Sequence, residues 1–320
     1  MLTEKTGLLT IIIPVYNEAS NIRELFAKLQ TVMLREQYQY EIIFVNDGSK
    51  DGSTEILNDV AEQNTQVKIV HFRRNYGQTS AMMAGLDYAH GEIIIPIDAD
   101  LQNDPEDIPR LLEKLNEGFD LVSGWRKHRK DAKLTRNFPS WLANKLISKI
   151  SGVKLSDYGC TLKAYRRGIV EEVKLYGEMH RFLPIYASWA GANTTEIPVN
   201  HYPRLQGESK YGLERIFKVP LDLMVVKFLS VYSTKPIYIF GGFGLISFLL
   251  SIVSFIMMVY FKYVGGKSFI ETPLPLLVAL FVLVGFLSML MGLIAELSIR
   301  IYHESQNKST YIVQKTININ

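Results

Sequence analysis

A mostly parallel α/β sheet domain, followed by interfacial helices and a two-helix transmembrane hairpin, is the fold class that this sequence predicts. Three observations carry the prediction. Up to Ser123, short apolar runs alternate with amphipathic ones. The apolar runs lead into acidic, amide or basic side chains. Two long stretches near the C-terminus hold no charged residue.

In chain order, Leu8–Ile13 is a strand pattern and Ser20–Glu36 a helix pattern. Glu41–Val45 is a strand, Ser53–Gln63 a helix, Val67–His71 a strand and Thr79–Ala89 a helix. Glu92–Ile97 is a strand, Glu106–Glu117 a helix and Asp120–Ser123 a strand. Strands that are apolar throughout and spaced by helices imply a parallel sheet covered on both faces. In such sheets ligands bind outside the carboxyl ends of the strands. Pro14-Val15-Tyr16-Asn17-Glu18, Asn46-Asp47-Gly48-Ser49, Arg73-Arg74-Asn75-Tyr76-Gly77 and Asp98-Ala99-Asp100 stand at those ends.

The charge-free stretches run from Ile237 to Tyr260 and from Pro273 to Ala295. Each exceeds the roughly 20 residues that cross a bilayer's hydrocarbon core. Two uninterrupted runs of this length are rare as core helices of soluble proteins. The linker Phe261–Thr272 is short, so the spans form a hairpin with both ends on one side. Lys218, Lys227 and Lys235 precede it, and Arg300 and Lys308 follow it. That bias puts the large domain and the tail on the cytoplasmic face of a plasma (inner) membrane crossed twice. Nothing at the N-terminus reads as a signal peptide, and the single Cys160 fits a reducing compartment. The expected organisation is a cytosolic domain over 1–212, interfacial helices over 213–235, the hairpin over 236–296 and a cytosolic tail over 297–320. Residues 213–235 mix apolar and basic side chains, as helices lying in a membrane interface do.

The stretch "IIIPIDADLQNDP" (93–105) ends a buried strand at Asp98, Asp100 and Asp104. Asp104 before Pro105 fits a helix cap. Asp98 and Asp100 lie too far upstream for that. Carboxylates on strand ends can share a hard divalent cation, which cancels their repulsion. Mg²⁺ or Mn²⁺ is typically held by one or two carboxylates plus substrate phosphates. The pair therefore points to a metal and a nucleoside diphosphate bound together.

"IIIPVYNE", "VNDGSKDGS", "RRNYGQTSAMMAGLDYAHG" and "IDADLQNDPE" resemble family 2 glycosyltransferases of the nucleotide-diphospho-sugar-binding (GT-A) fold. "SDYGCTLKAYRR" (156–167), "RLQGESKYG" (204–212) and the hairpin are similar to the polyprenyl-phosphate glycosyltransferases within it. The resemblance implies that Pro14, Tyr16 and Glu18 hold the nucleoside and that Asp47 contacts its base or ribose. It implies Asp98 near ribose and diphosphate, with Asp100 and Gln102 at the metal. Asp157 would act at the acceptor or sugar, and Arg204, Ser209 and Lys210 would close over phosphates. It also implies inversion at the sugar and a homo-oligomer, up to a tetramer.

The nucleophile in such a transfer is a phosphate oxygen already ionised at neutral pH, so little or no general base is needed. Asp157 can be a base, or can orient the sugar or a basic neighbour. Arg204 and Lys210 would add fixed positive charge. The run "WRKHRKDAKLTR" (125–136), with Arg126, has three readings: a solvated face, an attraction to anionic head groups, or a grip on the lipid phosphate. No further motif supports nucleic-acid binding. A processive polysaccharide synthase would show Q-x-x-R-W and more spans, and a non-catalytic scaffold would not need Asp98, Asp100 and Gln102. UDP-glucose and undecaprenyl phosphate are the favoured substrates, and GDP-mannose is the alternative donor.

Overall fold

A computed structural model describes residues 7–127, 147–148, 151–171, 173, 179–203, 237–305 and 311–319. Two compact units emerge: Met1–Val226 with Ser309–Asn320, and Lys227–Lys308.

The first unit is built on one eight-stranded sheet. Its elements in order are β1 (Leu9–Val15), α1 (Ala19–Arg35), β2 (Tyr40–Asn46), α2 (Ser53–Gln63), β3 (Val67–Phe72), α3 (Gln78–Asp87) and β4 (Ile93–Pro96). A 3₁₀ turn (Pro105–Asp107) leads into α4 (Ile108–Asn116), followed by β5 (Leu121–Trp125), β6 (Lys163–Arg166) and α5 (Arg167–Val170). A second turn (Met179–Phe182), α6 (Leu183–Trp189) and β7 (Thr194–Pro198) follow. The strand order is β7-β5-β6-β4-β1-β2-β3-β8, where β8 is Val313–Ile317.

The centre of the sheet is parallel: β1 pairs with β2 and β4, and β2 with β3. β1 is buried on both faces, as a parallel central strand must be. α1 presents Ile22, Leu25, Leu29, Val32 and Met33 at helical spacing, and they join Leu57 of α2 and Leu111 of α4 in the apolar core of one face. α3 and α6 cover the other face with Ala81, Ala84, Leu183 and Ile185. Gly85 lets α3 lie directly on β1, since a Cβ there would stand 2.2 Å from Ile12 Cγ2. This contact seats the start of α3 beside the strand ends.

The flanks depart from the expected pattern. β6 runs antiparallel to both β4 and β5, and β8 runs antiparallel to β3. So the sheet is mixed, with a parallel centre. β6 is "KAYR", whose buried Lys163 hides the strand from a hydropathy reading. β7 is "TTEIP" and only partly buried, so it shows no apolar run. β8 lies in the stretch expected to be a plain tail.

The second unit pairs two helices, α7 (Ile237–Tyr263) and α8 (Leu274–Ser305). Their apolar segments, Phe240–Tyr263 and Leu274–Ala295, are long enough to cross a membrane and mostly exposed. So much exposed apolar surface marks a face that meets a membrane or another protein, and the pair is a candidate membrane hairpin. The pair touches through small residues. A Cβ on Gly244 would stand 3.0 Å from the Gly285 carbonyl oxygen, and the Ser251 hydroxyl donates to the Val278 carbonyl at 3.2 Å.

Candidate active site

Four loops at the carboxyl edge of the sheet are tied to one another. The β1 loop is pinned to the β2 loop: Asn17 N donates to Ser49 Oγ (3.0 Å), Ala19 N to Asp51 Oδ2 (3.0 Å), and Lys50 N to Asn17 Oδ1 (2.8 Å). Asn17 takes a left-handed backbone (φ 55°), and the side-chain oxygen of an Asn makes that conformation easier to hold. Pro14 lies near the end of β1 and Tyr16 and Glu18 stand on this loop, where Glu18 accepts from Asn21 Nδ2 at 2.7 Å.

Asp47 ties β2 to the next loop. Its two oxygens accept the backbone N–H groups of Tyr76 (2.6 Å) and Gly77 (2.9 Å) at the start of α3. Burial raises this carboxyl above the ordinary range, although both bonds oppose the rise. The fit requires glycine at 48, where φ is +68° and a Cβ would lie 2.6 Å from the Arg74 backbone. Beside it, the Arg74 guanidinium lies 4.1 Å from the Tyr76 ring centre.

Asp98 and Asp100 stand just past the end of β4. Asp98 is largely covered, and both its oxygens are engaged: Gln78 Nε2 donates to Oδ1 (2.9 Å) and the Thr161 hydroxyl to Oδ2 (2.7 Å). Burial, and then the nearby Asp100 charge, push Asp98 up to about 6, against the Thr161 bond. Asp100 is 7% exposed and accepts from the Gln102 N–H. Leu101 between them is held at φ 60°, a conformation that costs a leucine about 1–2 kcal/mol. Strain of this kind persists where the surroundings fix it, often at a working site.

The next loop docks on the segment leading to residue 204. Gln102 Nε2 donates to the Tyr202 carbonyl (3.3 Å), Tyr202 N to the Gln102 carbonyl (3.0 Å), and the Tyr202 hydroxyl to Asp104 (3.0 Å). Asp104 also accepts from Glu106 N at 3.1 Å, so it caps the 3₁₀ turn as expected. Arg204, Ser209 and Lys210 themselves lie outside the described residues, as do 128–136 of the basic run and all of 213–235.

Arg126, at the end of β5, faces Asp157 in a two-pronged ion pair: Nε to Oδ2 at 2.7 Å and Nη2 to Oδ1 at 2.9 Å. Burial opposes the guanidinium's charge, but the Asp157 carboxylate outweighs it, so Arg126 is held above its ordinary value. Lys163 is also buried and donates to the Cys160 carbonyl. Burial lowers its ammonium below the usual lysine range.

The structure therefore gathers Asp98, Asp100, Arg126 and Asp157. It adds three residues that the sequence reading did not single out as site residues: Gln78, Thr161 and Lys163. All three lie inside stretches that carried the resemblance. Two are uncharged and one is a strand lysine, so none stood out as chemistry.

Among the described residues, no three His, Cys, Asp or Glu side chains converge as a ready-made metal cage. Two mutually repelling carboxylates with oxygen donors only are instead what a hard cation shared with substrate phosphates requires. The donor set fits Mg²⁺ or Mn²⁺ on those terms.

The profile described as "Glycosyl transferase family 2" matches residues 10–174. The chain belongs to glycosyl transferase family 2. This glycosyltransferase is 38% identical over 312 residues to a dodecaprenyl-phosphate galacturonate synthase of Rhizobium johnstonii, covering 96% of this chain and 92% of that one. It is also 38% identical to an undecaprenyl-phosphate 4-deoxy-4-formamido-L-arabinose transferase of Shewanella sediminis, covering 97% and 93%. The expected relation to polyprenyl-phosphate sugar transferases therefore holds over 96% or more of the glycosyltransferase. Its fold superposes on glucosyl-3-phosphoglycerate synthase from Mycobacterium tuberculosis, in a complex with Mn²⁺, UDP and phosphoglyceric acid, with a TM-score of 0.53 at 16% identity, covering 70% of this chain and 78% of that one. That likeness bears out the GT-A fold.

Proposed function

We propose that this glycosyltransferase moves a sugar from a nucleoside diphosphate to the phosphate of a polyprenyl lipid, with inversion, at the cytoplasmic face of the membrane. The observation that carries the reading is the coincidence of the Asp98/Asp100 pair beside Arg126 and two long apolar helices in a chain similar over 96% of its length to a dodecaprenyl-phosphate galacturonate synthase. The sugar is a separate matter. Glucose was favoured from the sequence, but the relatives carry galacturonate or 4-deoxy-4-formamido-L-arabinose in their names. We therefore place the donor among UDP-linked sugars of those two kinds, ahead of UDP-glucose and GDP-mannose.

Asp98 and Asp100 would hold the divalent cation, with the Gln102 amide oxygen as a further ligand. The cation supplies Lewis-acid neutralisation of the diphosphate leaving group. Gln78 and Thr161 keep the Asp98 carboxylate aimed. Asp47, through Tyr76 and Gly77, fixes the turn that leads into Gln78 at the start of α3. Pro14, Tyr16 and Glu18 would line the nucleoside side, and Arg126, Arg204, Ser209 and Lys210 the phosphates.

The test is transfer of label from each UDP-sugar into organic-extractable lipid, using purified protein, undecaprenyl phosphate and Mg²⁺ or Mn²⁺. Transfer from a single donor, abolished by chelator and by Asp100→Ala, is the expected result. Tight donor binding with no lipid-linked product from any donor would overturn the acceptor assignment.

A further inference from the structure

We propose that Asp157 is a positioning residue that aims the Arg126 guanidinium at a phosphate of the reaction, and that it takes no proton. This rests on the transfer reading above.

The geometry of the carboxylate comes first. Asp157 is 4% exposed. Oδ2 accepts from Arg126 Nε (2.7 Å) and from the Arg126 backbone N–H (3.4 Å). Oδ1 accepts from Arg126 Nη2 (2.9 Å) and from Gly159 N (3.1 Å). An ionised carboxylate offers about four lone-pair sites. Among the described residues, four donors built into the protein meet them here. A proton acceptor would have to break the two-pronged pair, exposing a buried guanidinium to a neutral acid.

The chemistry does not ask for an acceptor either. The attacking oxygen of a phosphate monoester is already largely ionised at neutral pH. It forms the new bond to the anomeric carbon as the bond from that carbon to the β-phosphate oxygen breaks. The nucleoside diphosphate leaves with the electron pair, and no proton changes hands.

What the pair does provide is aim. It uses two of the five N–H donors of Arg126 and leaves both Nη1 hydrogens outside the pair. A guanidinium held this way is a pre-set fork for a phosphate oxyanion, which needs no reorganisation as charge develops. The negative charge of Asp98 also helps to hold the guanidinium protonated, so the fork and the metal-side carboxylates act on one another. Gly159 guards the arrangement: a Cβ there would stand 3.0 Å from Nη2 and 3.5 Å from Asp157 Oδ1.

The experiment is a double-mutant cycle with Arg126→Gln, Asp157→Asn and the pair together, reading kcat and KM for the UDP-sugar and for the lipid phosphate. Each single variant is expected to lower kcat/KM about 30-fold or more, the low end for losing one partner of a buried charge pair. The double variant should be no worse than Arg126→Gln alone. A raised KM for the UDP-sugar puts the fork on the diphosphate, and one for the lipid puts it on the acceptor phosphate. A double variant whose loss is the product of the two single losses would overturn the proposal. So would an Asp157→Asn variant that loses kcat, with its acid limb, while Arg126→Gln stays active. If Asp157→Asn does not fold, Gly159→Ala crowds the same pair while keeping both charges. It should raise the same KM in the native background and change nothing in Arg126→Gln, and an effect in both backgrounds overturns the proposal. If the native protein transfers no sugar, the cycle is run on binding of UDP and of farnesyl phosphate. Non-additivity in either supports the pairing, and additivity in both overturns it, independently of the acceptor assignment.

Discussion

Thr161→Val removes the hydroxyl that donates to Asp98 Oδ2 at 2.7 Å and keeps the shape of the side chain. Burial and the Asp100 charge already push Asp98 up to about 6, and the Thr161 bond opposes them. A hydrogen bond to a charged group contributes about 1.5–3 kcal/mol, or roughly one to two pKa units. Asp98 in the variant should therefore titrate about one to two units higher. At pH 7 the native carboxyl is roughly nine-tenths ionised, and the variant's between about a half and a tenth. A cation has to displace that proton, so its affinity at pH 7 should fall about 2- to 10-fold and recover in more alkaline solution. The assay is Mn²⁺ binding followed by electron paramagnetic resonance with UDP present, from about pH 5.5 to about pH 9, a range that brackets both titrations. A deficit of equal size at every pH would refute the reasoning, since the hydroxyl would then aim Asp98 without tuning its charge. The same sign governs folding of the metal-free protein. The native value lies above that of an unfolded chain, so the Asp98 contribution to stability is full below the unfolded value and is lost as pH rises through about 6.

Other expectations follow from packing. Gly85→Val should destabilise the sheet domain by about 1–3 kcal/mol, because even its Cβ would overlap Ile12 Cγ2; an unchanged thermal midpoint would contradict the close seating of α3. Tyr311→Ala should cost about 3 kcal/mol, since the ring stacks on Phe72 with centres 4.9 Å apart and its hydroxyl donates to Asp87 at 2.8 Å; denaturant unfolding measures it, and a loss below about 1 kcal/mol would mean that the segment beside β8 adds little. Gly244→Leu should force α7 and α8 apart, because the Gly285 carbonyl leaves no room for a side chain; engineered cysteines flanking the contact should then cross-link more slowly, and an unchanged rate would mean the helices do not meet there.

The central fold was legible because β1 to β4 announce themselves: each is an apolar run with β-branched residues, and each run leads into polar side chains at the working edge. The Asp98/Asp100 pair was legible for the same reason, as charges where a buried strand should continue. Of the flanking strands, β5 was legible as Asp120–Ser123, whereas β6, β7 and β8 were not. β6 carries a buried lysine in place of an apolar residue, and β7 is an edge strand with Glu196 half-covered. Gln78 and Thr161 were illegible individually because a neutral side chain becomes chemistry only when folding brings a carboxylate within 3 Å of it. The partner of Asp157 was equally hidden, since Arg126 sits 31 positions away inside a basic run that has blander explanations.

β8 has a consequence for the order of events during synthesis. Val313–Ile317 completes the sheet against β3, yet it follows both apolar helices in the chain. A ribosome therefore releases the edge partner of β3 only after the two helices have been made. Until then the domain carries an open strand edge, the kind that recruits unwanted partners. Completion of the sheet thus waits on synthesis of both apolar helices, and a chain cut short after them would leave β3 as an exposed edge.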